Sequence, residues 1–285
     1  MQSELARTVN GPVEYTSQGE GPVMLVCHGT SSDCFSNEVM HPLVQFGFRV
    51  VTPSRPGYGR TPLSVGRSAA EAAQSLVQLL DTLQVRRCAV VATSGGGPTG
   101  LALAAGFPER VTRLVLAEAI SRPEERPNEP SYNSQVAFYG PLHIAMWMLL
   151  KLMSRLSPRS MARQTLAIFS THDPQDGIRR LSPDEIRGLC AFYRGRSSRA
   201  GALNDLGHTV GMSVLESVCQ PTLVIHSRED KSVPFAHAEW SLRHIPHSEL
   251  CEAGFTGHFF WIGPDYERIA KQMVTFLREA GTAAD

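Results

Sequence analysis

The chain predicts an α/β fold in which a mostly parallel central sheet carries helices on both faces and a helical lid is inserted into it. Three observations lead there. Short apolar runs alternate with helix-spaced segments across residues 23–117, and the same rhythm returns across 221–280. Between the two stretches the alternation breaks into proline-rich and helical sequence. The residues able to do chemistry cluster where the apolar runs stop, which in parallel sheets is where ligands collect.

The elements follow in order. Residues 13–16 read as a first strand, and Gly19-Glu20-Gly21-Pro22 as a turn. Residues 23–27 form a continuous apolar run, as expected of a strand buried on both faces, and end in His28-Gly29-Thr30. A helix is expected over 35–46 and a strand over 48–52. The next loop, Arg55-Pro56-Gly57-Tyr58-Gly59, is too rich in Pro and Gly for regular structure. Ser68 and Glu71 have capping-box spacing ahead of a helix with Ala72, Leu76, Leu79, Leu80 and Leu83 at helical intervals. A strand over 88–92, a helix over 98–106 and a strand over 112–117 complete the first half. In the second half, 221–226 and 248–251 read as strands, and 235–243 and 265–280 as helices.

The strand over 88–92 stops at Thr93-Ser94-Gly95-Gly96-Gly97 and a helix begins at once. So sharp a corner forces strained backbone on its apex residue and demands small neighbours. Ala92 and Gly96, two residues either side of Ser94, fit the small-x-Ser-x-small form of a nucleophile elbow. Ser94 is the candidate nucleophile. Two other readings compete at this point: a glycine-rich turn without chemistry, and a dinucleotide fingerprint, since Gly95, Gly97 and Gly100 match G-x-G-x-x-G and Glu118 follows the next apolar run. Against the fingerprint, Thr93 and Ser94 separate the strand from the first glycine, and at least two strands precede it.

Residues 119–212 are expected to form the lid, dividing the core into residues 1–118 and 213–285. The run over 138–156 is apolar nearly all round, yet with Lys151 and Arg155 inside it is too short and too charged to span a membrane. Ser182 and Glu185 cap a further helix, and 199–210 reads as another. Phe138, Met146 and Trp147 are the lid residues expected to line an apolar pocket.

Lys plus Arg and Asp plus Glu both number 27, so no long-range field recruits nucleic acid or an anionic membrane. The six cysteines have no C-x-x-C pairing and several fall in strand candidates, which fits buried free thiols. Residues 1–11 contain no apolar run of secretory type, so the cytoplasm is the expected location. The histidines lack metal-ligand spacing, so neither metal nor cofactor is expected. Composition carries no signal of oligomeric state.

Taken in order, His28-Gly29, Arg55-Pro56-Gly57-Tyr58-Gly59, the corner at Ser94, Asp230 ahead of Val233-Pro234, and Gly257-His258 resemble the α/β-hydrolase family, specifically its lidded serine hydrolases. The likeness spans nearly the whole chain outside the lid. It implies a triad of Ser94, Asp230 and His258, with Glu229 or Glu118 as alternative acids. It also implies an oxyanion hole from the backbone N–H groups of Thr30 and Gly95. Serine at the corner disfavours relatives that use an aspartate nucleophile. The implied substrate is a fairly apolar carboxylic ester or lactone, extending to macrocyclic lactones. Thioester, amide and carbon–carbon hydrolysis stay open, as does a non-catalytic ligand-binding member of the fold.

Overall fold

The computed structural model describes residues 2–35, 41–122, 140, 142–195 and 198–278. Eight strands make one sheet in the order β1–β2–β4–β3–β5–β6–β7–β8. They are β1 (Glu4–Thr8), β2 (Gly11–Gln18), β3 (Val23–Cys27), β4 (Arg49–Pro53), β5 (Cys88–Thr93), β6 (Val111–Ala117), β7 (Thr222–Ser227) and β8 (Ser248–Ala253). β2 pairs antiparallel with both β1 and β4, and every later pairing is parallel. β1 has no counterpart in the sequence reading: it is an edge strand with a single buried residue, Ala6, and so shows no alternation. The chain runs outward from β3 to β4 on one side and to β5 on the other. The crevice between the carboxyl ends of β3 and β5 is therefore the sheet's switch point.

Successive residues of a strand face opposite sides, and the two helix layers are built on that alternation. Val90 and Ala92 of β5 join Leu25, Cys27, Leu114 and Leu116 against α2 (Ala69–Thr82) and α3 (Gly97–Gly106). Ala89 and Val91 join Met24, Val26 and Ile225 on the other face. Among the helices in chain order, α1 is His41–Gln45. α2 opens on the expected capping box: Glu71 N–H donates to Ser68 Oγ at 3.2 Å, and Ser68 N–H to Glu71 Oε2 at 3.0 Å.

Between β6 and β7 the described residues form α4 (His143–Leu156), α5 (Pro158–Phe169), α6 (Pro174–Arg180), α7 (Pro183–Ala191), α8 (Arg199–Asp205) and α9 (Met212–Glu216). Met161, Leu166, Ile178 and Leu189 of this segment form their own apolar cluster, closed from below by Phe255 and Phe259. α4 is apolar nearly all round but is not covered all round: Ile144, Met148, Leu149 and Leu152 are exposed, while Trp147 is buried. α10 (Ala236–His244) and α11 (Tyr266–Arg278) return to the core, where Ile269, Met273 and Phe276 pack under the sheet. Among the described residues no helix is long and apolar enough to cross a membrane.

Five of the six cysteines are buried and Cys219 is exposed. Burial pushes the Cys27 and Cys88 thiols up to about 12, suppressing the reactive thiolate. Titration of the native protein with a thiol reagent at neutral pH is expected to consume one rapid equivalent, at Cys219, with the others reacting only after unfolding.

Candidate active site

The site begins at the corner after β5. Ser94 adopts φ +49°, a left-handed conformation costly for a residue with a Cβ. It opens a single 3-10 turn, Ser94–Gly96, that runs straight into α3. A side chain at Gly96 would fall inside the van der Waals shell of the Cys27 carbonyl, so only glycine lets the turn lie against β3. The Ser94 carbonyl accepts from Ile120 N–H at 2.9 Å, tying the corner to the chain beyond β6.

The loop after β8 brings His258 to that serine. His258 Nε2 lies 3.0 Å from Ser94 Oγ, and Nδ1 lies 2.7 Å from Asp230 Oδ2. The other oxygen of Asp230 accepts from the N–H groups of Ser232 at 2.7 Å and Val233 at 2.9 Å. Burial pushes the Asp230 carboxyl up, but the charge and hydrogen bond of His258, then Glu118 and His226, hold it below its ordinary value. With Asp230 ionised, Nδ1 of His258 carries the proton and donates it, which leaves the Nε2 lone pair facing the serine hydroxyl. Of the three candidate acids, Asp230 is the one bonded to the imidazole. Glu229 accepts from Thr171 Oγ1 instead, and Glu118 Oε1 accepts from Ser227 N–H at 3.0 Å.

Thr30 and Gly95 stand face to face: a Cβ on Gly95 would overlap the Thr30 hydroxyl oxygen. What holds Thr30 was not legible in the sequence. Asp205, at the end of α8, is buried, and its Oδ2 accepts from Thr30 Oγ1 at 2.8 Å, Tyr58 OH at 2.6 Å and Arg55 Nη2 at 2.6 Å. Arg55 also donates from Nη1 to Asp205 Oδ1 at 2.6 Å and from Nε to the His28 carbonyl at 2.7 Å. His28 Nε2 accepts from Arg55 N–H at 3.0 Å, and its Nδ1–H donates to the Gly29 carbonyl at 2.8 Å. Burial, then the nearby Arg55 charge, pushes His28 down to about 3, so it is neutral and anchors its loop. A second tie joins the helical segment to the site at the end of α5. The Phe169 carbonyl accepts from His258 N–H at 3.2 Å and Lys231 N–H at 3.3 Å, and its ring stacks on His258 with centroids 5.9 Å apart.

Ser94 and His258 open into a cavity of about 320 Å³ whose described lining includes Phe35, Phe192, Phe259 and Trp261 alongside Ser31 and Asp33. Neither Met146 nor Trp147 is among the described lining residues, contrary to expectation. The Trp147 N–H needs a buried acceptor and finds it in the Gly195 carbonyl at 3.2 Å, so the indole packs behind Phe192, ring centroids 5.9 Å apart. Met146 is 41% exposed. Phe138 lies outside the described residues. Phe192 and Phe259, which do line the cavity, gave no sequence signal beyond their apolar character.

A family profile described as the alpha/beta hydrolase fold matches residues 22–263. The chain belongs to the alpha/beta hydrolase family. Among its relatives, this hydrolase is 33% identical over 270 residues to the uncharacterized hydrolase YcgS of Bacillus subtilis, covering 94% of this chain and 95% of that one. It is 29% identical over 276 residues to a 2-hydroxymuconate semialdehyde hydrolase of Pseudomonas putida, covering 92% and 89%. An alpha/beta hydrolase fold protein from Nakamurella multipartita superposes with a TM-score of 0.82 at 26% identity, over 98% of this chain and all of that one.

Asp205 generates two expectations for this alpha/beta hydrolase. Asp205→Ala leaves the Arg55 guanidinium buried without its partner, and denaturant unfolding at pH 7 should show a loss of about 3–5 kcal/mol. Burial raises the Asp205 carboxyl, but Arg55, then His208 and Tyr58, bring it below its ordinary 3.8. Its contribution is therefore complete above that pH and fades as pH falls through the depressed value. Asp205→Asn should remove this acid-side dependence from the stability-versus-pH curve.

Proposed function

We propose that the chain is a serine hydrolase that cleaves a carboxylic ester or lactone through an acyl-enzyme. The observation that carries the reading is the imidazole of His258, bonded on one side to Asp230 at 2.7 Å and on the other to Ser94 at 3.0 Å. As Ser94 Oγ attacks the substrate carbonyl carbon, its proton passes to His258 Nε2. Asp230 stabilises the imidazolium and keeps the ring in the tautomer that accepts at Nε2. Negative charge on the carbonyl oxygen is met by the backbone N–H groups of Thr30 and Gly95, a kind of donor worth roughly 10²–10³ in turnover each. Collapse expels the alcohol, which takes the proton from His258. Water, deprotonated by the same nitrogen, then releases the acid and restores the serine.

The cavity supports a compact substrate. About 320 Å³ is at the small end of ligand sites, and it suits an aromatic or branched ester or small lactone better than a macrocycle. We take residues 119–212 as the lid over this cavity, with Phe192 the largest side chain it contributes among the described lining residues. A second reading, carbon–carbon bond hydrolysis by the same side chains, draws support from the full-length relative named for 2-hydroxymuconate semialdehyde.

Ser94→Ala is expected to fold normally and to lose on the order of 10⁶ in turnover. The test is a panel of short and aromatic acyl esters, small lactones, thioesters and, as carbon–carbon substrate, 2-hydroxymuconate semialdehyde, read alongside fluorophosphonate labelling at Ser94. A mutant that keeps most of the wild-type ester hydrolysis overturns the mechanism. Turnover confined to carbon–carbon substrates selects the second reading.

A further inference from the structure

Behind the Ser94–His258–Asp230 line lies a second carboxyl group that the proposed chemistry leaves unused. Glu118 terminates β6, next to β5, in a left-handed conformation of its own at φ +47°. Its N–H donates to the Ile225 carbonyl at 2.8 Å and its Oε1 accepts from Ser227 N–H at 3.0 Å, so backbone and side chain are both fastened to β7. The side chain is 1% exposed, and Oε2 has no donor facing it among the described residues.

The titratable groups around Glu118 come from β7, the turn after it and the loop after β8. His226 Nε2 is 3.3 Å from Glu118 Oε2, but its proton is spent on the Val233 carbonyl at 2.8 Å. Burial pulls His226 below its ordinary value, which favours its neutral form. The same nitrogen is 3.8 Å from Asp230 Oδ2, so it sits between the two carboxyls. One oxygen of each acid and one nitrogen of His258 lie within 4.8 Å of one another. Asp33 is the other carboxyl among the described lining residues of the cavity.

Two buried carboxyls whose oxygens lie within 4.8 Å raise each other's cost of ionisation, and a single proton on one of them relieves it. The surroundings decide which acid holds it. Asp230 receives two backbone N–H groups and the His258 imidazole, all of which favour its anion. Glu118 receives one N–H. Burial first, then the Asp230 charge, raises the Glu118 carboxyl well above its ordinary 4.5.

We infer that Glu118 is a neutral carboxylic acid donating its proton to Asp230, so that the pair behind His258 carries one negative charge and Glu118 is a positioning residue of the relay. The proton stands independently of the reaction; the effect on rate rests on the serine-hydrolase reading. The donated bond lowers the basicity of Asp230 and fixes its carboxylate plane, which in turn sets how strongly the imidazolium is favoured.

The proton is tested without turnover, by infrared difference spectroscopy of the wild type against Glu118→Gln at pH 7. A protonated carboxyl C=O band present in the wild type and lost in the variant is the expected result. No such band, as when Glu118 is ionised or shares a cation with Asp230, overturns the inference. The positioning role is tested by kinetics on any ester the protein turns over. Glu118→Gln keeps an N–H donor and should retain more activity than Glu118→Leu, in which kcat should fall roughly ten- to hundredfold with KM little changed. In Glu118→Leu the acid limb of kcat/KM should also move to higher pH, because an undonated Asp230 favours the imidazolium. Equal losses in both variants with an unmoved acid limb overturn the role. If the leucine variant does not fold, the infrared band and the rate of the glutamine variant decide.

Discussion

A chain that leaves a strand and enters a helix without a linker has almost no space at the bend, and the site is arranged around that shortage. Ser94 is forced to positive φ, and Gly96 lies against the carbonyl of Cys27 on the neighbouring strand. The strain, of order 1–3 kcal/mol, holds the hydroxyl above the switch point of the sheet instead of letting it lie along the strand. β6 ends in the same way at Glu118, and the Ile120 N–H that follows is bonded to the Ser94 carbonyl. Two neighbouring strands thus finish in left-handed residues that brace one another. The serine and the carboxyl of Glu118 are placed by a common piece of backbone.

Three buried carboxyls near the site differ in charge for reasons visible in their partners. Asp205 has a guanidinium in bidentate contact together with two hydroxyl donors. Asp230 has two backbone N–H groups and an imidazole. Both compensate the desolvation of an anion. Glu118 has one N–H and an anion for a neighbour, so the neutral form is the one that the same burial allows.

The sequence showed what is local. The capping box at Ser68 and Glu71, the buried run over 23–27 and the small residues around Ser94 each express their physics within a few positions, and each element is where that reading puts it. Joining His258 to Ser94 needed more, since 164 positions separate them and only the family order links them. Asp205 was invisible because nothing near it distinguishes it from any polar residue at the end of a short helix; its meaning lies in Arg55, 150 positions away. β1 was missed for the opposite reason, being an edge strand with too little buried surface to leave a pattern. Met146 and Trp147 misled because apolar character says that a side chain is covered, not by what. One is partly exposed, and the other supports Phe192 from behind.

Among the ties between the helical segment and the loops of the candidate site are the Phe169 carbonyl, with its bonds to His258 and Lys231, and the Asp205 carboxylate, with its bonds to Arg55, Tyr58 and Thr30. Everything from 172 to 204 is strung between them. That stretch supplies Phe192 to the cavity wall and places Ile178 and Leu189 in one apolar cluster with Phe259, the neighbour of His258. On the proposed mechanism, a change of bulk in that stretch therefore reaches both the wall that meets the substrate and the support of the imidazole.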